Sequence, residues 1–193
     1  IRQANSEEIL LRTFKMRIFL ISGAKRSGKD FIGEELERQL EQIGQPSVIL
    51  KFADPVKEII ATSFGLTLEE LDYLKNDESQ KIQVLGNDLT MRSVLQHFAT
   101  EAMQGTFGKT VWRDLLIKKI KSLKNINNII ITDFRFLHEG FDLPGCQKIT
   151  IRVLGGEPDD HQSEHDLDGF EFDYRVDNQV KDSNKAKTAV QKI

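Results

Sequence analysis

The feature that most constrains this chain is a short apolar run that leads into a glycine-rich loop. The run MRIFLIS at 16–22 is followed by Gly23, four further residues and the pair Gly28-Lys29. A short apolar run bounded by glycine is typical of a buried parallel strand. The segment DFIGEELERQLEQIG at 30–44 has apolar residues at helical spacing. A strand, a glycine loop and a helix in this order are the context of a phosphate-binding P-loop.

The P-loop spacing predicts which residues contact nucleotide phosphates. Glycines let the backbone curl so that N–H groups point inward, and the helix N-terminus adds a partial positive charge. We predict that Lys29 bridges the outer phosphates as a catalytic lysine. The full set of predicted phosphate-binding residues is Gly23, Ala24, Lys25, Arg26, Ser27, Gly28, Lys29 and Asp30.

Asp30 departs from the usual motif, which has Ser or Thr after the lysine. Those hydroxyls bind Mg²⁺, and an aspartate also offers an oxygen to a hard cation. Asp30 is therefore a candidate Mg²⁺ ligand, directly or through water. The alternative is an acidic residue that favours the helix dipole and nothing more.

The rest of the chain alternates apolar runs with helical patterns. Strands are predicted at 47–52, 128–136, 148–155 and 172–178, and helices at 54–65, 67–75, 89–104, 109–123 and 183–193. This alternation predicts a three-layer α/β sandwich with a mostly parallel sheet of about five strands and helices on both faces. We expect one domain over 15–193 after a tail or peripheral helix at 1–14, with mobile segments near 76–88 and a lid-like loop at 155–169.

Composition limits the class of partner. The 193 residues carry a formal net charge of −3, so we expect no general attraction to nucleic acid or to an anionic membrane. No apolar run reaches the roughly 20 residues of a membrane span. With one cysteine, Cys146, no intrachain disulfide can form, which favours a reducing, cytoplasmic location. Small-molecule substrates are the expected partners, and the protein is expected to be a monomer or a homodimer.

Basic and polar side chains later in the chain are candidates for binding a second phosphorylated substrate. Lys57 lies in the first turn of the predicted helix after FADP, where the alternative is a solvated lysine. Arg92, Gln96 and Thr100 recur at i, i+4 and i+8 along one helix edge, where the alternative is an ordinary solvated face. Trp112 is placed either against a base or in the core.

The predicted third strand of the sheet ends in ITDFR. Asp133 then has the outline of a Walker-B acid at a strand end, and Arg135 projects into the same cleft to neutralise charge on a transferring phosphoryl group. The alternative is a loop salt bridge between the two side chains.

Several segments together resemble the bacteriophage-type deoxynucleoside monophosphate kinases, a branch of the P-loop nucleoside monophosphate kinase group. They are SGAKRSGKD, FADPVK, MRSVLQHFATE, VW at 111–112, IIITDFRFLHE and DDHQSEHDLDGFEFDYRVDN, and they run from about residue 16 to 180. The resemblance implies a P-loop kinase fold, ATP and Mg²⁺, and a deoxynucleoside 5′-monophosphate (dNMP) as acceptor. The matching residues are the P-loop from Gly23 to Asp30, Lys57, Arg92, Gln96, Thr100, Trp112, Asp133 and Arg135.

Two residues depart from this resemblance. Ala99 stands where the family tends to have glycine, and Ser93 where a second basic residue is frequent. Both bear on the range of substrates more than on the reaction. In the lid-like loop, His161, Glu164 and His165 lie close together, and we favour a solvated loop that closes over ATP above a metal site.

Other functions remain as alternatives. Animal-type phosphomevalonate kinases share an SGK..SGKDF loop, and their acceptor is another small phosphorylated molecule. A GTP-dependent switch requires Asn-Lys-x-Asp, whereas NKAK at 184–187 lacks the acid. A nucleotide-binding module without turnover is disfavoured because Lys29, Asp133 and Arg135 are all present.

Overall fold

The computed structural model describes residues 16–77, 79–84, 87–157, 165–178 and 183–193. In chain order the elements are β1 (Met16–Gly23), α1 (Lys29–Gln42), β2 (Ser47–Leu50), α2 (Asp54–Phe64), α3 (Leu68–Asn76), β3 (Ile82–Val84), β4 (Asn87–Leu89), α4 (Met91–His97), a π-helical segment (Phe98–Gln104), α5 (Gly105–Phe107), α6 (Val111–Ser122), β5 (Asn128–Ile131), a 3-10 turn (Leu137–Glu139), β6 (Cys146–Leu154), β7 (Tyr174–Asp177) and α7 (Ser183–Val190).

Five strands form a parallel sheet in the order β2-β5-β1-β6-β7. Leu20 of β1 pairs with Ile131 of β5, and Gly23 pairs with Val153 of β6. Every strand therefore ends at the same edge of the sheet. The predicted α/β sandwich with a central parallel sheet is confirmed.

Both faces of the sheet are buried, which explains why its strands read as continuous apolar runs. On one face, Phe19 and Ile21 share a core with side chains of α1 and α7. On the other face of β1, the alternating residues Ile18 and Leu20 are also buried. The 3.6-residue spacing of α1 supplies Ile32, Leu36 and Leu40 to the first of these cores.

The chain divides into two compact units. The sheet unit comprises the residues up to Lys51 and from Lys119 onward, and the helical unit comprises Phe52–Lys118. The helical unit has its own apolar core, built from α2, α3, α4 and the start of α6. The single domain expected over 15–193 stays a prediction.

The largest differences from the predicted elements lie in the helical unit. The predicted helix 89–104 begins at Met91, because Thr90 caps it by accepting a hydrogen bond from Ser93 N, and it becomes π-helical from Phe98. The antiparallel hairpin β3–β4 begins in the polar segment 76–88 and ends at Leu89, and the sequence analysis missed it. The predicted tail at 1–14 lies outside the described residues.

Candidate phosphate-binding site

The candidate site lies at the carboxyl edge of the sheet, where β1 and β5 run side by side. From β1 the chain passes β5 to reach β2, whereas from β5 it passes β1 in the opposite direction to reach β6. Open α/β sheets bind ligands in the crevice at such a switch point. The predicted P-loop follows β1, and ITDFR follows β5, so both predicted motifs meet at this crevice.

The P-loop backbone has the curvature that its glycines predict. Gly28 is left-handed, with φ of 92°, and Gly23 has φ of 156°. A Cβ on Gly23 would lie 2.6 Å from both the Ser27 hydroxyl and the Val153 carbonyl, so no larger residue fits there. Gly28 is the N-cap residue of α1, and no side chain there caps the first N–H groups of the helix.

Ser27 provides an independent sign that the loop is built for a ligand. Its side chain is 1% exposed, and its hydroxyl has no hydrogen-bond partner within the described part of the chain. A buried hydroxyl without a hydrogen-bond partner lowers the free energy of unfolding. A phosphate oxygen in the loop would satisfy it, so the residues present fit a phosphorylated ligand.

Lys29 is folded back over the loop. Its ammonium donates to the carbonyl oxygens of Gly23 at 2.6 Å and Ala24 at 2.7 Å, and the residue is 9% exposed. The ammonium is therefore held against the loop backbone. The predicted role of Lys29 in bridging the outer phosphates stays a prediction. Lys25 and Arg26 are exposed, and Arg26 lies 3.7 Å from Glu157.

Asp30 belongs to a three-residue cluster that the sequence analysis did not anticipate. Its Oδ1 accepts from the buried Thr132 hydroxyl at 2.8 Å and lies 2.7 Å from the Lys51 ammonium. Burial raises the pKa of Asp30, but the hydrogen bonds from Lys51 and Thr132, with the charges of Lys51 and Lys29, lower the pKa overall. Asp30 is therefore held as a carboxylate. Because Lys51 and Thr132 follow β2 and β5, only the strand order reveals that they meet Asp30.

Mg²⁺ is the metal that the resemblance implies, and the residues present fit it. Mg²⁺ binds one or two carboxylates together with substrate phosphates and water, and Asp30 offers such a carboxylate beside the P-loop. Among the described residues no cluster of three or more His, Cys, Asp or Glu side chains is arranged to hold a metal.

The loop after β5 is tied to β1. Phe134 N donates to Ile21 O at 3.2 Å, and the Phe134 ring is fully buried. This anchor sets its neighbours Asp133 and Arg135, both half-buried, at the same sheet edge as the P-loop.

Glu139 is a residue that the sequence analysis missed. One of its carboxylate oxygens accepts from the backbone N–H groups of Arg135 at 2.7 Å and Phe136 at 3.0 Å. Burial, with a further contribution from the charge of Asp133, raises the pKa of Glu139 to about 8, against the lowering effect of those hydrogen bonds. The spacing D-x-R-x-x-x-E was the available signal, because a carboxylate four residues on can close a turn over its own backbone.

A second arginine lies beside the loop on β6. Arg152 donates to the Ser22 hydroxyl at 3.0 Å, lies over the Phe172 ring at 5.7 Å, and is 3.7 Å from Asp168. His165 contacts the same Asp168 at 3.1 Å. Residues 158–164 of the lid-like loop, which include His161 and Glu164, lie outside the described residues.

Lys57 of the helical unit has an acidic partner. Its ammonium contacts both carboxylate oxygens of Asp72, at 2.8 and 2.9 Å. A phosphate bound by Lys57 would therefore compete with Asp72. The predicted role of Lys57 as a substrate ligand stays a prediction.

The helix that carries Arg92, Gln96 and Thr100 is not uniform. Arg92 and Gln96 lie in α4, half-buried and exposed, whereas Thr100 is exposed in the π-helical segment. A π turn holds more residues than an α turn, so Thr100 is rotated away from the edge that uniform i, i+4, i+8 spacing predicts. Such π segments are frequent at functional sites.

Trp112 packs inside the helical unit. It is 6% exposed, belongs to the apolar core, and donates its indole N–H to Ala99 O in the π-helical segment at 3.2 Å. This environment favours the core alternative for Trp112. Contact with a base stays a prediction.

Comparison with known proteins gives a weak match to a kinase. No family model matches the chain. Phosphomevalonate kinase of Drosophila melanogaster is 26% identical to it over 113 residues, which are 58% of this chain and 58% of that protein. The chain therefore spans little more than half the length of that relative. The chain thus has a P-loop-kinase-like α/β fold and a distant similarity to a kinase.

No helix among the described residues has the length and apolar character needed to cross a membrane.

Proposed function

We propose that this chain is a kinase that transfers the γ-phosphoryl group of ATP to a small molecule that already carries a phosphate. The observation that carries the proposal is Lys29, held across a glycine loop whose buried Ser27 hydroxyl lacks a partner. The neighbouring loop supplies Asp133 and Arg135 at the same sheet edge. The similarity to phosphomevalonate kinase supports phosphoryl transfer as the reaction class.

The transfer joins an oxygen of the acceptor phosphate to the γ-phosphorus and breaks the bond from that phosphorus to the β–γ bridging oxygen, so that ADP leaves. A phosphate monoester with a second pKa of about 6 is already anionic at neutral pH. The acceptor therefore needs no general base, and the site must supply positive charge and alignment. Lys29 and Arg135 supply that charge, and bound Mg²⁺ would neutralise further phosphate charge.

We propose a deoxynucleoside 5′-monophosphate as the acceptor. Support comes from the ordered motifs that resemble the bacteriophage-type kinases, including LQHFATE in α4 and the π-helical segment. Gln96 is exposed and offers the donor and acceptor that a base edge requires. Mevalonate 5-phosphate is the second candidate, favoured by the similarity to phosphomevalonate kinase.

A coupled ADP-release assay with MgATP tests both acceptors. We expect turnover with at least one of dAMP, dCMP, dGMP and dTMP, and none with mevalonate 5-phosphate. Lys29→Ala should lower kcat by about 100-fold or more, because a charge aimed at the transition state is lost. Lys148→Ala is the matched control, since Lys148 contacts Asp142 near the amino end of β6 and should leave kcat unchanged. Turnover with mevalonate 5-phosphate alone would reverse the choice of acceptor, and no ADP release with any of the five would refute the kinase.

A further inference from the structure

Asn178 is a buried polar residue outside the predicted catalytic set. It follows β7 and is 7% exposed. Its side-chain amide donates to Ser27 O of the P-loop at 2.8 Å, and its backbone N–H donates to Leu154 O at 2.9 Å. The second bond fixes Asn178 to β6, so the first bond connects the P-loop to the sheet.

The bond to Ser27 O sets the direction of a backbone N–H group. In a trans peptide the C=O and N–H groups point in opposite directions, and the described chain has no cis peptide bond. Because the Ser27 carbonyl points toward the Asn178 amide, the N–H of Gly28 points away from Asn178. A P-loop binds phosphate through N–H groups that point inward, and this bond fixes one of them.

The packing at this contact is close. A Cβ on Gly28 would lie 2.4 Å from the Asn178 amide nitrogen, so the glycine is required by Asn178 as well as by its positive φ. A second loop carbonyl, Lys25 O, accepts from Glu157 N at 3.0 Å, which fixes the Arg26 N–H in the same way. The Glu157 donor is a backbone N–H group, which a substitution does not remove. Of these two bonds to loop carbonyls, only the one from the Asn178 side chain can be deleted by mutation.

We propose that Asn178 is a positioning residue that holds the P-loop in its phosphate-binding conformation. The inference rests on the proposed function, because it requires that the loop bind the triphosphate of ATP. The alternative role is that VDN at 176–178 shapes an adenine pocket. If Asn178 positions the P-loop, its loss should weaken ATP and tripolyphosphate alike. If it shapes an adenine pocket, its loss should weaken ATP alone.

The test is isothermal titration of the whole chain with MgATP and, separately, with magnesium tripolyphosphate, which has no base or sugar. Asn178→Ala should weaken both ligands by about 10-fold or more. Asn178→Asp should weaken them further, because a carboxylate would face the Ser27 carbonyl and add negative charge. Asn178→Ser provides a smaller change in case the alanine variant does not fold.

Asn128→Ala is the matched control. Asn128 is fully buried and also donates its side-chain amide to a backbone carbonyl, Pro46 O at 3.1 Å, but it lies at the amino end of β5. We expect it to lower the melting temperature and leave both affinities within about 2-fold of wild type. Equal losses at Asn128 and Asn178, or unchanged affinity in the folded Asn178 variants, would overturn the inference. A loss for ATP alone would assign Asn178 to the adenine site instead. If wild type binds neither ligand, the proposed function itself fails.

Discussion

At the scale of single residues, neighbouring charges in this chain have different environments. Lys29 is nearly buried and bonded to loop carbonyls, whereas the adjacent Asp30 is held by Lys51 and Thr132. Glu139, eight residues beyond β5, is half-buried and accepts from two backbone N–H groups. These surroundings lower the pKa of Asp30 and raise the pKa of Glu139.

Asp30→Ala distinguishes the metal role from the helix-dipole role. If Asp30 helps hold Mg²⁺, the variant should need about 10-fold or more Mg²⁺ for half-maximal turnover. Asp30→Ser should recover part of the loss by restoring the usual hydroxyl. The measurement is the initial rate against Mg²⁺ concentration at fixed ATP. Superimposable curves for wild type and Asp30→Ala would rule out the metal role.

Glu139 predicts a pH-dependent stability. Its pKa rises from the usual 4.5 to about 8 on folding, so between these values the native state keeps a proton that the unfolded state releases. The free energy of unfolding should therefore fall as pH rises from about 5 to about 8, by at most about 1.4 kcal/mol per pH unit from this group. Above about 8 its contribution should be constant.

Urea denaturation of wild type and Glu139→Gln across this pH range measures the effect. The glutamine keeps an acceptor for the Arg135 and Phe136 N–H groups but cannot titrate. We expect the difference in unfolding free energy between the two proteins to change with pH below about 8. Parallel profiles would mean that Glu139 titrates normally.

At the scale of elements, helix starts follow local chemistry in the helical unit. Thr67 accepts from Glu70 N at 3.1 Å, and the Glu70 carboxylate accepts from Thr67 N at 2.8 Å, so the two residues form a capping box at the start of α3. The π-helical segment after α4 is different, since Ala99 O is bonded to the distant Trp112 indole. Local sequence therefore predicts where a helix begins better than which helical type it adopts.

Thr67→Ala should destabilise the protein by about 1 kcal/mol, because the capping hydroxyl is lost. Thr62→Ala in α2 is the control: the Thr62 hydroxyl only donates to Glu58 O within the helix, so its removal should cost little. Urea midpoints for the two variants give the comparison. Equal costs at the two positions would show that the Thr67 cap contributes nothing specific to α3.

At the scale of the whole molecule, ligand binding should be visible as stability. MgATP at 100 times its Kd should stabilise the native state by about 2.7 kcal/mol, a rise of roughly 5–10 °C in melting temperature for a chain of this length. Lys29→Ala should lose most of this rise while remaining folded. A melting temperature of wild type that does not respond to MgATP would contradict ATP binding.

Much of the fold was predictable because parallel strands and amphipathic helices leave local signals. Each of the five sheet strands was predicted within a few residues of its observed position, except that the third ends at Ile131, where Thr132 and Asp133 turn into the loop. The hairpin β3–β4 was missed because each of its strands has three residues, too few to show alternation.

The strand, glycine loop and helix around Lys29 could be predicted from local sequence, because those residues interact with near neighbours in the chain. Tertiary structure alone decided that Lys51, Thr132 and Asn178 join this loop. They come from the ends of three different strands, and only the sheet order β2-β5-β1-β6-β7 brings those ends to one edge. Contacts between residues 21 to 151 positions apart leave no local pattern, since their geometry exists only after the sheet has formed.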